Sequence, residues 1–84
     1  MAKSKFSTQE LIQGYISYYQ INRITSNTFS HIKQYAIEFY DIYHTTETYS
    51  RTFRNMRSKN LILIKEVIKR KTENGDVYHV WVLA

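Results

Sequence analysis

The stretch Thr46-Glu47-Thr48-Tyr49-Ser50-Arg51-Thr52-Phe53-Arg54-Asn55-Met56-Arg57-Ser58-Lys59-Asn60-Leu61-Ile62 decides how this chain is read. Tyr49, Phe53 and Met56 recur at helical spacing, so they share one face and point inward, with Thr52 beside them. Arg51, Arg54 and Arg57 recur every third residue, with Ser50, Asn55 and Ser58 close by. A helix that is apolar behind and covered by guanidinium and small polar groups in front suits a duplex major groove. Arg can read guanine through two hydrogen bonds, Asn can read adenine, and either can hold phosphate. Thr45 or Thr46 is placed to cap the N-terminus through its side-chain oxygen. Asn60 is the expected stop, because Asn tolerates the left-handed conformation that often closes a helix.

Working upstream, Ser7-Thr8-Gln9-Glu10 has the spacing of a capping box. Leu11, Ile12, Tyr15, Ile16 and Tyr19 then follow helical periodicity, and the helix is expected to end near Ile21, before the polar residues 22–27. Gly14 weakens that helix by about 1 kcal/mol relative to Ala, and it permits a close helix crossing. A second helix is predicted with Asn27 or Thr28 as its cap. Its apolar stripe is Phe29, Ile32, Tyr35, Ala36 and Phe39, and its wet side Lys33, Gln34 and Glu38. The turn Asp41-Ile42-Tyr43-His44 follows, with Ile42 tucked into the core. Residues 1–6 read as a loose basic lead-in.

Downstream the pattern changes. Leu61-Ile62-Leu63-Ile64, Val67-Ile68 and Val77-Tyr78-His79-Val80-Trp81-Val82 favour strand. Asn74-Gly75 between them is the strongest short hairpin signal. A two-residue turn centred there pairs Lys71 with Tyr78, Lys69 with Val80 and Ile68 with Trp81. Trp81 and Ile68 then share one hairpin face, and Val67, Val80 and Val82 the other.

Three helices followed by a basic-tipped hairpin resemble the winged helix-turn-helix DNA-binding domain over nearly the whole chain, from Ser7 to Leu83. The string from Tyr49-Ser50-Arg51 to Asn60-Leu61-Ile62 resembles that family's recognition helix running into the first wing strand. The resemblance implies an α+β fold in a single domain over residues 1–84. It places Tyr49, Phe53, Met56 and Leu61 in the core, and Thr48, Ser50, Arg51, Arg54 and Asn55 toward the groove. Lys69, Arg70, Lys71 and Asn74 fall on the wing. Together with Thr46, Arg57 and Ser58 these make the candidate DNA-binding set, with the recognition helix over about 46–59 and the wing over 65–80. The longer connection between helices two and three, and Asn60 in place of the usual glycine, depart from the family's pattern.

Charge points the same way. Residues 51–71 hold eight Lys/Arg and only Glu66 as an acid, while the rest of the chain is net −2 in a total of +5. Such asymmetry suits a polyanion partner, and an ordinary solvated basic face is the plainer alternative. The expected partner is double-stranded DNA, read sequence-specifically by a transcriptional regulator. Two rivals are a winged-helix protein-interaction module, such as a phage or viral modulator of a host factor, and an accessory replication or excision factor. Homodimerisation is expected, because helix one is apolar around much of its circumference and a thin hairpin cannot bury both faces. Most tyrosines sit at core spacing, leaving Tyr40, Tyr43 and Tyr78 as candidate surface stackers.

No cysteine is present, and His31, His44 and His79 lack ligand spacing, so no metal or other cofactor is expected. Catalysis is not expected either: no glycine-rich phosphate loop, paired acid or nucleophile–base arrangement stands out. No apolar run approaches the ~20 residues that span a bilayer, and no signal-peptide segment leads the chain, so a cytoplasmic location is expected. The Ile, Tyr, Lys and Asn bias fits an AT-rich source, such as an AT-rich bacterium, a phage or an archaeal virus.

Overall fold

The computed structural model describes residues 6–84. The order is α1 (Thr8–Tyr19), β1 (Arg23–Ile24), α2 (Ser26–Tyr40), α3 (Thr46–Ser58), β2 (Ile64–Lys71) and β3 (Val77–Leu83). The strands form one antiparallel sheet in the order β1-β3-β2. This is the expected α+β layout of a winged helix, three helices followed by a C-terminal hairpin. Among the described residues no helix is long and apolar enough to cross a membrane.

Local signals set most helix ends. Ser7 Oγ accepts from the Glu10 N–H at 3.2 Å, and Glu10 Oε1 accepts from the Ser7 N–H at 2.9 Å. The capping box therefore starts α1 as its sequence demands. The helix stops at Tyr19, two residues before Ile21, because Gln20 turns left-handed at φ 52°. Thr45 Oγ1 accepts from the Thr48 N–H at 3.2 Å and caps α3. Asn60 at φ 57° reverses the chain after α3, and the Leu61 N–H reaches back to the Met56 carbonyl at 2.8 Å.

Five expectations need correction. The polar residues 22–27 are not a plain connection, since Arg23 and Ile24 pair with Val82 and Trp81. Extended chain at Ile24 moves the α2 cap back to Thr25, away from Asn27 or Thr28. Thr28 instead sits inside the first turn, its hydroxyl accepting the Thr25 N–H at 3.0 Å. Leu61 is 47% exposed, and it is Ile62 that packs against the core. Phe6, assigned to the loose lead-in, packs at a tilt on Tyr40 with 4.6 Å between ring centres; the rest of that lead-in, residues 1–5, lies outside the described residues.

The fifth correction is the hairpin register. The loop is three residues, Glu73-Asn74-Gly75, closed by Gly75 N–H to Thr72 O at 3.0 Å and Thr72 N–H to Asp76 O at 2.9 Å. Within it only Gly75 takes a positive φ, 88°, whereas a two-residue type I′ turn needs one at Asn74 as well. The longer loop slides the pairing by one residue: Lys71 opposes Val77, Lys69 opposes His79, Ile68 opposes Val80 and Val67 opposes Trp81. A one-residue slide exchanges faces. Val67 therefore joins Trp81, and Ile68 joins Val80. An extra residue at Lys65, between the Ile64 and Glu66 pairs, lets Ile64 turn back to the core opposite Leu83.

The core lies between the helices and one sheet face. Leu11 and Ile12 come from α1, Phe29, Ile32, Tyr35 and Ala36 from α2, and Tyr49, Phe53 and Met56 from α3. Ile24 reaches in from β1, with Trp81 and Leu83 of β3 packed at its edge. Gly14 admits the Tyr35 hydroxyl, which would stand 3.0 Å from a Cβ placed there.

Candidate nucleic-acid interface

α3 is the element that separates the two chemistries in its sequence. Tyr49, Phe53 and Met56 are at most 1% exposed, so the inner face is wholly committed to the core. Helical geometry then turns Arg51, Arg54, Asn55 and Ser58 outward, and all four are exposed. Thr46 is exposed at the first turn, while Thr48 and Ser50 are half-buried on the flanks. The Thr48 hydroxyl lies 3.0 Å from Thr45 Oγ1, so it belongs to the cap network. Thr52 Oγ1 donates to the Thr48 carbonyl at 2.9 Å and meets Thr8 Oγ1 of α1 at 2.8 Å, tying the two helices together.

Arg57 is placed differently from Arg51 and Arg54. It is half-buried, and its guanidinium carbon lies 5.1 Å from the Phe53 ring centre and 5.0 Å from that of Trp81. Stacked cations of this kind gain about 0.5–2 kcal/mol from the ring quadrupole.

The hairpin divides its cations between faces. Lys69 and Lys71 stand with His79 and Val77, on the face that carries Trp81. Arg70 opposes Tyr78 on the other face. Asn74 is exposed in the loop. The structure thus gathers Arg51, Arg54, Asn55 and Ser58 on one helix face. Arg57 sits on Trp81 at the helix–hairpin junction, Lys69 and Lys71 follow along the same sheet face toward the hairpin tip, and Arg70 and Asn74 lie off that face.

Three residues at this surface went unassigned in the sequence. Trp81 and His79 stack at 5.9 Å beside Arg57, a contact that depends on register and so has no local signal. Glu47 is exposed in the first turn of α3, four residues before Arg51, and that spacing is visible in the sequence. An acid there favours the helix N-terminus and can accept from cytosine N4 in a groove.

The aromatic surface also differs from expectation. Tyr18, Tyr19 and Phe39 are 61%, 49% and 45% exposed, whereas Tyr40 and Tyr78 are half-buried. Tyr43 is exposed as expected, and its hydrogen bond to Asp41 pushes its pKa up. Tyr18 meets Phe39 edge-on at 5.2 Å, so α1 and α2 share an open aromatic patch.

No family model, curated protein or solved structure matches this chain.

Proposed function

We propose that this protein binds double-stranded DNA sequence-specifically and regulates transcription, with α3 as the recognition helix in the major groove and the β2–β3 wing along the backbone. The observation that carries the reading is α3 itself. One face is sealed in the core while Arg51, Arg54 and Asn55 stand exposed on the other, beside a hairpin bearing Lys69, Arg70 and Lys71. Arg and Lys displace counterions from the phosphates and supply most of the affinity. Arg51, Arg54 and Asn55, flanked by Thr48 and Ser50, supply base contacts, each good bidentate pair discriminating by about 1–3 kcal/mol. No catalytic step and no cofactor enter this reading.

The same reading includes a homodimer. The exposed rings of Tyr18, Tyr19 and Phe39 provide an apolar surface on α1 and α2, apart from the α3 and hairpin elements that carry the cations. Two copies joined there would read half-sites about one DNA turn apart, near 34 Å.

A mobility-shift titration across salt tests the function. Duplex binding is expected to weaken about a thousandfold or more between about 50 and 200 mM salt if six or more phosphates are neutralised. Arg51→Ala with Arg54→Ala should abolish the shift while circular dichroism stays unchanged. No shift even at low salt would sink the DNA reading and favour the same fold used for protein contact, for which the open aromatic patch is the supporting observation. Binding sites mapped to an origin or attachment site, away from promoters, would favour an accessory replication or excision role.

A further inference from the structure

At the junction of α3 and the hairpin, the Arg57 guanidinium lies over two rings, Phe53 at 5.1 Å and Trp81 at 5.0 Å, which themselves meet edge-on at 5.3 Å. Its Nε is enclosed and has no hydrogen-bond partner among the described residues. What the fork retains for a ligand is its terminal Nη pair. The sheet register decides what stands nearby. Val67 opposes Trp81, Lys69 opposes His79 and Lys71 opposes Val77, so all of them share the face on which Trp81 meets α3. Val67, Lys69, Lys71 and His79 are exposed, and this face therefore continues past the core as an open wall. Arg54, three residues before Arg57 on the same helix, extends the cationic flank. The acids of these elements lie elsewhere: Glu66 is on the opposite sheet face, Glu73 is in the hairpin loop and Asp76 closes it, and Glu47 is at the far end of α3.

A guanidinium already packed against two rings, with its Nε enclosed, loses less freedom on meeting an anion than a free arginine does, and its two Nη groups match a pair of oxygens on one phosphorus. A lysine on the facing wall adds a point charge without competing for the same geometry. We propose that Arg57, with Lys69 on the adjoining sheet face, forms a seat for one backbone phosphodiester of the bound duplex. The inference rests on the duplex reading above and adds a fixed phosphate position between helix and wing. A phosphate held there sets the register and depth at which α3 enters the groove.

Trp81 is the only tryptophan, so its emission reports on the seat directly. A short labelled duplex is titrated into the full chain. Label anisotropy reads total binding, and iodide quenching of Trp81 reads occupancy of the junction. Bound duplex is expected to shield Trp81 from iodide. Lys69→Gln should lower the slope of log affinity against log salt by about one, the loss of a single phosphate contact. Arg57→Lys, which keeps the charge but not the planar fork, should weaken binding about tenfold. The seat stands only if shielding and the Lys69→Gln slope change are both seen; full anisotropy change without either overturns it and leaves duplex binding intact. Should Arg57→Lys fail to fold, those two measurements still decide. A flat anisotropy curve at low salt overturns the seat and the duplex reading together.

Discussion

Tyr49 shows how a single residue can carry both packing and a cost. Its ring is 0% exposed and meets His44 edge-on at 5.8 Å, filling the centre of the α3 face. Its hydroxyl is buried without a hydrogen-bond partner among the described residues, and burial pushes its pKa up. An unpaired buried hydroxyl costs about 1–3 kcal/mol. Tyr49→Phe is therefore expected to stabilise the fold by about 1 kcal/mol, raising Tm by roughly 4–8 °C for a domain of this size. Thermal unfolding by circular dichroism checks this, and a lower Tm would mean that the hydroxyl has a partner. Arg57 illustrates the converse. Its place in the every-third-residue arginine series is plain in the sequence, but its stacking on Trp81 comes from a strand 24 positions away in the numbering.

At the scale of elements, the α1–α2 crossing balances helix propensity against space. Gly14 lies mid-helix, where Ala would be favoured by about 1 kcal/mol. A Cβ there meets the Tyr35 hydroxyl at 3.0 Å, and Tyr35 is only 5% exposed, so the ring has little room to retreat. Overpacking of this kind costs about 1–3 kcal/mol. Gly14→Ala alone is expected to be neutral or destabilising. Combined with Tyr35→Phe, it should be more stable than the sum of the two single changes by about 0.5–1 kcal/mol. Urea unfolding of the four proteins in the cycle measures that coupling, and strict additivity would refute the close crossing.

The whole molecule has an alkaline limit written into its tyrosines. Burial and a hydrogen bond with Tyr40 push the Tyr35 pKa from 10.0 up to about 12, and burial also raises that of Tyr15. The unfolded chain releases these protons first, so the stabilisation is complete below about pH 10 and is lost as pH rises toward 12. For Tyr35 the loss is on the order of 2 kcal/mol. Stability measured across that window should fall in the parent chain and fall less steeply in Tyr35→Phe. Charge organises the surface at the same scale. The +7 carried by residues 51–71 is gathered on α3 and the hairpin, while the aromatic patch of Tyr18, Tyr19 and Phe39 lies on α1 and α2.

What the chain determined by itself is local. Ser7 with Glu10, Thr45 and Asn60 mark helix ends because each acts on backbone groups within a few residues. Tyr49, Phe53 and Met56 mark the buried face of α3 because helical periodicity needs no partner to be visible. The basic character of residues 51–71 is equally a property of order along the chain. Tertiary structure decided the rest. Strand β1 is two residues long and exists only because Val82 and Trp81 are there to pair with it. The hairpin register turned on the backbone angle adopted at Asn74, and that one-residue slide moved Lys69 to the face of Trp81. Tyr19 and Phe39 follow the apolar stripes of their helices, yet both are left open because among the described residues no element crosses above them. Periodicity says which way a side chain points, and only packing between distant segments says whether anything is waiting there.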